Sequence, residues 1–584
     1  MKEMTGISAS PGIAIGTVML VRDEHQSVPQ YGIAVHQIET EYQRFLQAVE
    51  RAIEDITSLK KTAERDLSQD ELNMLDTHLL MLNDPDLNDQ VYSSLTEELQ
   101  NVEYILSTIM QGLIRKLSQA QDDYLRERAS DFHDVSKRIM NQLLYRGSRN
   151  LAHLDEDVIL VCHELMPSDA IAMDKLRIKG IAMDAGGKTS HTAILARAFE
   201  IPAVLGLGQI TQSAEDQATI IIDGTSGKVI LNPDLKTKKE YQQRQRSIQK
   251  RDVQLMKLNE LPAETKDGKL IRLKANIEIP EEVDAAIGHG ADGIGLYRSE
   301  FLFIRPGGLP DEEEQFLAYK HVIQAMGNKP VTIRTLDLGG DKLKHNMKEF
   351  SSGEKNPILG WRAIRFCLAH PEIFRTQLRA LLRASAFGNL RIMFPLISGL
   401  GELEQSLQIL GDVRQELRSK GHSVADHIPA GIMIEVPSAA MISDILAKRS
   451  HFFSIGTNDL IQYTVAVDRG NENIAYLYDP MHPGVLRFLK MVIENAHKAG
   501  IVAGMCGEMA GDPLYTMVLL GLGLDEFSMS SFGIPQVKQI IRSTSIVEAE
   551  EFVGRLMEMD DCNDIEHLLR TTMEEKFDIT DFRR

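Results

Sequence analysis

The chain of 584 residues is poor in cysteine, lacks a long apolar run and has no excess of basic charge. Its cysteines, Cys162, Cys367, Cys506 and Cys562, stand far apart, with no CxxC or CxxxC spacing. That argues against a clustered thiolate metal site and a disulfide framework, and it fits a reducing compartment. No run of about 18 apolar residues occurs, as a membrane-spanning helix requires. Met1 to Leu20 has no basic-then-apolar leader pattern. Cytoplasmic location without membrane insertion is the expectation. Acidic side chains number 84 against 64 basic, a formal net charge of −20. Such a surface disfavours nucleic acid and suits solubility or a basic protein partner. A nucleotide phosphate loop is absent too. Gly187-Lys188-Thr189 ends like one, but the motif needs a glycine where Ala182 stands, so ATP is not implied.

What is present divides into regimes. The length suggests roughly three or four domains. Ile7 to Val21 reads as strand–turn–strand around Ser10-Pro11-Gly12. From Val35 to Tyr145 the only glycine is Gly112 and the only proline Pro85. Apolar residues there recur at helical spacing, as at Tyr42, Phe45, Leu46, Val49, Ala52, Ile53 and Ile56. After Gly147, short buried strands return around Val158, Ile178, Ala203 and Thr219. The segment Met1 to Val21 cannot form a stable sheet alone, so it is expected to pair with these later strands, leaving the helical stretch as an insertion. Residues 236–260 are polar, basic and free of Gly and Pro, which predicts an exposed linking helix. Expected boundaries are 1–33 with 147–233, then 34–146, 234–262 and 263–584.

Within the second stretch, Gly186-Gly187-Lys188-Thr189-Ser190-His191 precedes helix-favouring residues. Two glycines permit a tight turn, and Thr189 and Ser190 offer hydroxyls that cap a helix. His191 then lies at a helix N-terminus, where free N–H groups favour phosphate. The segment alone supports either a phosphoryl-accepting imidazole or an ordinary capped helix with a surface histidine.

Beyond Leu270, eight strand-like runs alternate with helix-length spacers: 270–277, 293–297, 331–335, 390–395, 431–435, 452–456, 502–505 and 526–529. Eight such units predict a (β/α)8 barrel of the TIM type, whose chemistry sits at the carboxyl ends of the strands. Those ends carry Arg298, Arg334, Glu435, Asn458, Asp459 and Cys506. Arginines suit carboxylate or phosphate. Glu435 and Asp459 offer hard oxygens for Mg²⁺, or ion pairs for the arginines. Asn458 can orient phosphate oxygens, and Arg469 follows in the same βα unit. Cys506, between Met505 and Gly507, reads as a proton-donating thiol or as a small buried hydrophobe.

The stretches GIGLYRSEFLF (293–303), RTLDLGGDK (334–342), NPILGWRAIR (356–365), SAFGNLRIMFP (385–395), MIEVPSAA (433–440), FFSIGTNDLIQYTVAVDRGN (452–471) and GMCGEMAGDP (504–513), with the run around His191, are dense and specific. Together they resemble the Enzyme I family of the bacterial phosphoenolpyruvate-dependent sugar phosphotransferase system over essentially the whole chain. The resemblance implies a multidomain α/β protein. In it, a swivelling β/α phosphohistidine domain with an inserted all-α bundle precedes a TIM-type barrel. It implies that His191 carries the phosphoryl group and that Arg298, Arg334, Asn458, Asp459 and Arg469 bind phosphoenolpyruvate. Glu435 and Asp459 would hold Mg²⁺, and Cys506 would protonate the enol carbon to give pyruvate. Lys342 and Arg362 rank second as phosphate contacts. The helical insertion would dock the histidine phosphocarrier HPr, and the barrel would form a homodimer. Lys188 stands where some relatives have arginine, with the positive charge kept. Pyruvate phosphate dikinase and phosphoenolpyruvate synthase resemble this pattern but need an ATP-binding domain, of which the chain shows no sign. A non-catalytic regulator that binds a phosphocarrier fits poorly with an intact set of Glu435, Asp459 and Cys506.

Overall fold

The computed structural model describes all residues except 22–27, 64–68, 119–122, 145–153, 166–172, 175, 188–189, 304–308, 340–355, 470, 472 and 578–584. The chain divides into two compact units, Met1–Ile248 and Gln249–Arg583.

The first unit is built on a sheet of β1 (Lys2–Thr5), β2 (Ile7–Ser10), β3 (Ile13–Val21), β4 (Val158–Cys162), β5 (Ile178–Met183), β6 (Ala203–Leu205), β7 (Thr219–Asp223) and β8 (Lys228–Leu231). The strand order is β1-β8-β7-β3-β4-β5-β6-β2. β3 pairs antiparallel with β7 and parallel with β4, so the early strands do join the later ones. The turn between β2 and β3 uses Gly12 at φ +115°, a conformation natural to glycine. The β1–β8 pair was not legible in the sequence. Each is a four-residue strand whose partner lies at the other end of the unit.

Between β3 and β4 the chain forms helices at Ile38–Ala63, Gln69–Leu82, Pro85–Glu98, Val102–Ser118 and Asp123–Leu143. The Asn83-Asp84-Pro85 break has a physical cause. Asp84 accepts from the Asp86 N–H as N-cap, and Pro85 takes the first helical position. The bundle buries Phe45, Ile56, Val91, Leu106, Val135 and Ile139. Arg44 ties Glu41 on its own helix, at 2.7 Å, to Glu103 on another, at 2.5 Å. After β8 a helix runs Leu235–Met256, close to the expected 236–260.

The second unit holds the barrel anticipated from eight apolar runs. Its strands are β9 (Arg272–Ile277), β10 (Ile294–Arg298), β11 (Val331–Arg334), β12 (Leu390–Phe394), β13 (Ala430–Ile434), β14 (Phe452–Ile455), β15 (Val502–Met505) and β16 (Glu526–Met529). Every neighbouring pair is parallel, and β16 pairs with β9 to close the ring. Alternate residues of each strand pack outward against the helices, Ile392 and Phe394 of β12 and Ile432 and Ile434 of β13 among them. The residues between them face the lumen, where Leu296, Met393, Met433, Phe452 and Cys506 form an apolar layer.

Candidate active site

Period-two alternation decides which side chains reach the barrel mouth. In β10 and β11, Tyr297 and Ile333 point outward into the main core, so Arg298 and Arg334 point inward at the carboxyl ends. By the same count, Glu435 after β13 and Cys506 after β15 follow the outward Ile434 and Met505. Four residues drawn from distant parts of the chain thus share one rim.

Arg334 is buried, and burial opposes its charge. Asp337 and Glu300 outweigh that cost and hold the guanidinium firmly protonated. Its Nη1 lies 2.8 Å from Asp337 Oδ2, and its Nη2 pairs with Glu300 Oε1. Arg362 Nη2 lies 2.8 Å from Asp337 Oδ1 and 3.3 Å from Asp459 Oδ2. Arg298 Nη1 pairs with Glu278 Oε1 at 2.6 Å.

Glu435 is 2% exposed, and its Oε1 accepts the Leu396 N–H at 2.6 Å. Leu396 adopts φ +53°, unusual for a branched residue, and Ala363 and Ala466 near the rim are also left-handed. Burial first, then repulsion from Asp459 and Asp337, pushes the Glu435 carboxyl up to about 8 against the pull of Arg334 and Arg362. The Cys506 thiol is also pushed up, chiefly by burial, so it keeps its proton at neutral pH. Arg334, Arg298 and Glu435 all act on this thiol, which places it within their field.

Asn458 and Asp459 occupy the first turn of the helix Thr457–Val465, which starts directly after β14. Asn458 Nδ2 donates to Glu508 Oε1 at 3.1 Å, and Asn458 Oδ1 accepts the Glu508 N–H at 3.0 Å. Arg469 Nη1 reaches the same Glu508 oxygen at 3.5 Å. Close packing draws this helix to the thiol. A Cβ on Gly456 would lie 3.0 Å from Glu435 Oε2, and one on Gly507 would lie 1.9 Å from Thr457 Oγ1. Arg334, Arg362 and Asp459 are thus linked through Asp337, Asn458 and Arg469 are linked through Glu508, and Glu435 and Cys506 lie within the field of the arginines. Arg298, paired with Glu278, joins through its action on the thiol. Lys342 and Lys188 lie outside the described residues.

His191 belongs to the other compact unit, as the first residue of the helix His191–Ala198. Ser190 is the N-cap, its Oγ accepting the Ala193 N–H at 3.3 Å, and Gly186 takes φ +103° in the preceding turn. The histidine thus starts a helix whose first N–H groups favour an anion.

Three family descriptions match in succession. The PEP-utilising enzyme N-terminal region matches residues 5–128, the mobile domain 154–227 and the PEP-binding domain 252–546. A phosphoenolpyruvate-protein phosphotransferase of Bacillus subtilis (strain 168) is 42% identical over 572 residues, covering 98% of this chain and 100% of that one. The chain belongs to the phosphoenolpyruvate-protein phosphotransferase family. Another phosphotransferase of that name, from Listeria innocua, is 43% identical and covers 95% of this chain and 97% of its own. A solution structure of an Enzyme I protein is 36% identical, with a TM-score of 0.37, over 42% of this chain and 99% of that one.

In this phosphotransferase-family barrel, the residues that sequence reasoning missed are the partners of those it found: Glu278, Glu300, Asp337, Leu396 and Glu508. Asp337 alone left a trace, as a lone acid in the apolar strand end after Arg334. The paired carboxylates of Glu435 and Asp459 fit a divalent cation, because hard oxygens suit it and its charge relieves the repulsion that raises Glu435. Among the described residues no group of three or more His, Cys, Asp or Glu forms a metal cage. Two carboxylates alone leave the other coordination positions to substrate oxygens and water.

Proposed function

We propose that this protein moves the phosphoryl group of phosphoenolpyruvate to its own His191 and then to a histidine of the phosphocarrier HPr, releasing pyruvate. This is the first step of sugar uptake by the phosphotransferase system. The observation that carries the reading is the rim itself. Buried guanidinium groups and a protonated thiol converge there, in a chain matching phosphoenolpyruvate-protein phosphotransferases nearly end to end.

Arg298, Arg334, Asn458, Asp459 and Arg469 bind phosphoenolpyruvate, with Arg362 beside them. Phosphoryl transfer needs positioning and charge neutralisation more than covalent help. The O–P bond of the enol phosphate breaks and an N–P bond forms at His191. The enol carbon takes the proton of Cys506 Sγ, giving pyruvate, and the thiolate regains a proton from solvent. Glu435 and Asp459 would hold Mg²⁺, which when bound neutralises charge on the phosphate. His191 and the rim belong to different compact units, and because the same histidine serves both the barrel and HPr, the cycle includes a domain motion. Residues 1–33 with 147–233 form the phosphohistidine domain, 34–146 dock HPr, 234–262 link, and 263–584 bind substrate and form the homodimer. The reaction belongs to the cytoplasm.

Incubation with labelled phosphoenolpyruvate and Mg²⁺ tests the reading. The wild type acquires an acid-labile phosphoryl label and His191→Ala does not. A wild type that stays unlabelled would sink the reaction, and a labelled His191→Ala would move the acceptor elsewhere.

A further inference from the structure

Asp337 lies three residues after Arg334, beyond the end of β11. Its side chain is 4% exposed, and each of its oxygens takes a different arginine. Oδ2 is 2.8 Å from Arg334 Nη1, while Oδ1 is 2.8 Å from Arg362 Nη2 and 3.2 Å from Arg362 Nε. The two arginines arrive on different elements, one on a strand and one on the segment before the helix Ile364–Ala369. Alone, two buried guanidiniums this close would repel and turn apart. The shared carboxylate fixes both their distance and their planes, since a guanidinium binds carboxylate in a preferred in-plane geometry.

The backbone around Asp337 is pinned on both sides. The Leu336 N–H donates to Gln377 Oε1 at 2.9 Å, and the Ala363 N–H donates to the Leu338 carbonyl at 3.1 Å. Gly339 and Arg362 also form an isolated bridge. The segments that carry the carboxylate and its second arginine are therefore held together independently of the side chains. Glu508 makes the contrast. It bridges Asn458 and Arg469 in a similar way, but its side chain is 83% exposed and it can leave when an anion arrives.

Resting on the phosphoenolpyruvate reading above, we infer that Asp337 is a positioning residue that locks Arg334 and Arg362 into one preformed clamp for a ligand with two anionic groups. Each arginine can meet a single anion without it. What Asp337 sets is their mutual spacing, which matters only to a ligand that engages both at once.

The test compares phosphoenolpyruvate, inorganic phosphate and pyruvate by calorimetric titration of the full chain with Mg²⁺, in a His191→Ala background so that no phosphoryl transfer occurs; KM and kcat are read with His191 in place. For Asp337→Asn the Kd of phosphoenolpyruvate rises about tenfold or more, while those of phosphate and pyruvate change by less than about threefold. KM follows Kd, and kcat falls less. Asp337→Glu keeps the charge but displaces it by one methylene. It gives an intermediate loss, and it carries the test if the Asn variant does not fold. Unchanged phosphoenolpyruvate affinity in a folded variant overturns the inference. So does an equal loss for all three ligands with a lowered unfolding temperature, which would make Asp337 a support of the fold only. A wild type that fails to bind phosphoenolpyruvate instead removes the reaction, and the clamp with it.

Discussion

The barrel carries two lumenal charge clusters, one at each end, and they are built on opposite terms. At the amino end, Lys274 of β9 lies 2.5 Å from Glu526 of β16, and Arg391 of β12 lies 3.2 Å from the same carboxylate. Burial pushes the Glu526 carboxyl up, but Lys274 and Arg391 outweigh it and hold it below the usual range. Burial also pulls the Lys274 ammonium down to about 8, so the floor keeps its charges only by holding them against one another. At the carboxyl end burial first, then repulsion from Asp459 and Asp337, pushes Glu435 up to about 8 against the pull of Arg334 and Arg362. A cluster that exists to close a barrel satisfies its own charges. A cluster that exists to receive a ligand leaves some of that work to the ligand.

The largest effect that would sharpen this contrast is at the thiol. Cys506→Ser should lower pyruvate formation by about 10²–10⁴-fold, whereas Glu526→Gln on the floor should leave turnover within about threefold. Comparable activity losses in steady-state assays would erase the distinction. Stability should show the reverse order. Glu526→Gln leaves Lys274 buried without its counter-ion and should cost about 3–5 kcal/mol in the barrel's unfolding transition.

The two ends should also answer pH with opposite sign. Glu526 has a lowered folded-state value, so its contribution is present above the ordinary carboxylate range and is lost as pH falls. Glu435 has a raised value, so its contribution is full below its ordinary 4.5 and is lost as pH rises through about 8. In metal-free protein, Glu435→Gln should therefore match the wild type near pH 4 and become progressively the more stable form as pH rises to 8. Scanning calorimetry in a chelator at the two pH values measures it, and a wild type that gains on the variant with rising pH would contradict the assignment. The smallest effect is steric. Gly507→Ala forces the Cys506 segment away from Thr457 and should reduce kcat/KM about tenfold with the fold intact.

The site was readable in sequence as far as strand ends and alternation carry. Arg298, Arg334, Glu435 and Cys506 fall at the carboxyl ends of apolar runs, and the period of two sends them inward. Their partners had no such signal. Nothing local distinguishes Glu300 or Glu508 from a solvated acid, and Leu396 contributes a backbone N–H whose direction depends on a left-handed turn. The strands β1 and β8 escaped for a related reason. Four residues carry too little periodicity, and what makes them strands is a partner from the far end of the unit.

By itself, then, the sequence determined the helical stretch, the succession of βα units, the capped turn before His191 and the family. Each of these follows from local periodicity, turn chemistry or contiguous motif. Only the tertiary structure decided that one carboxylate, Asp337, holds two arginines and that Glu435 is repelled by its neighbours. Distances across a closed barrel are set by the packing of all eight strands, and no single segment contains them.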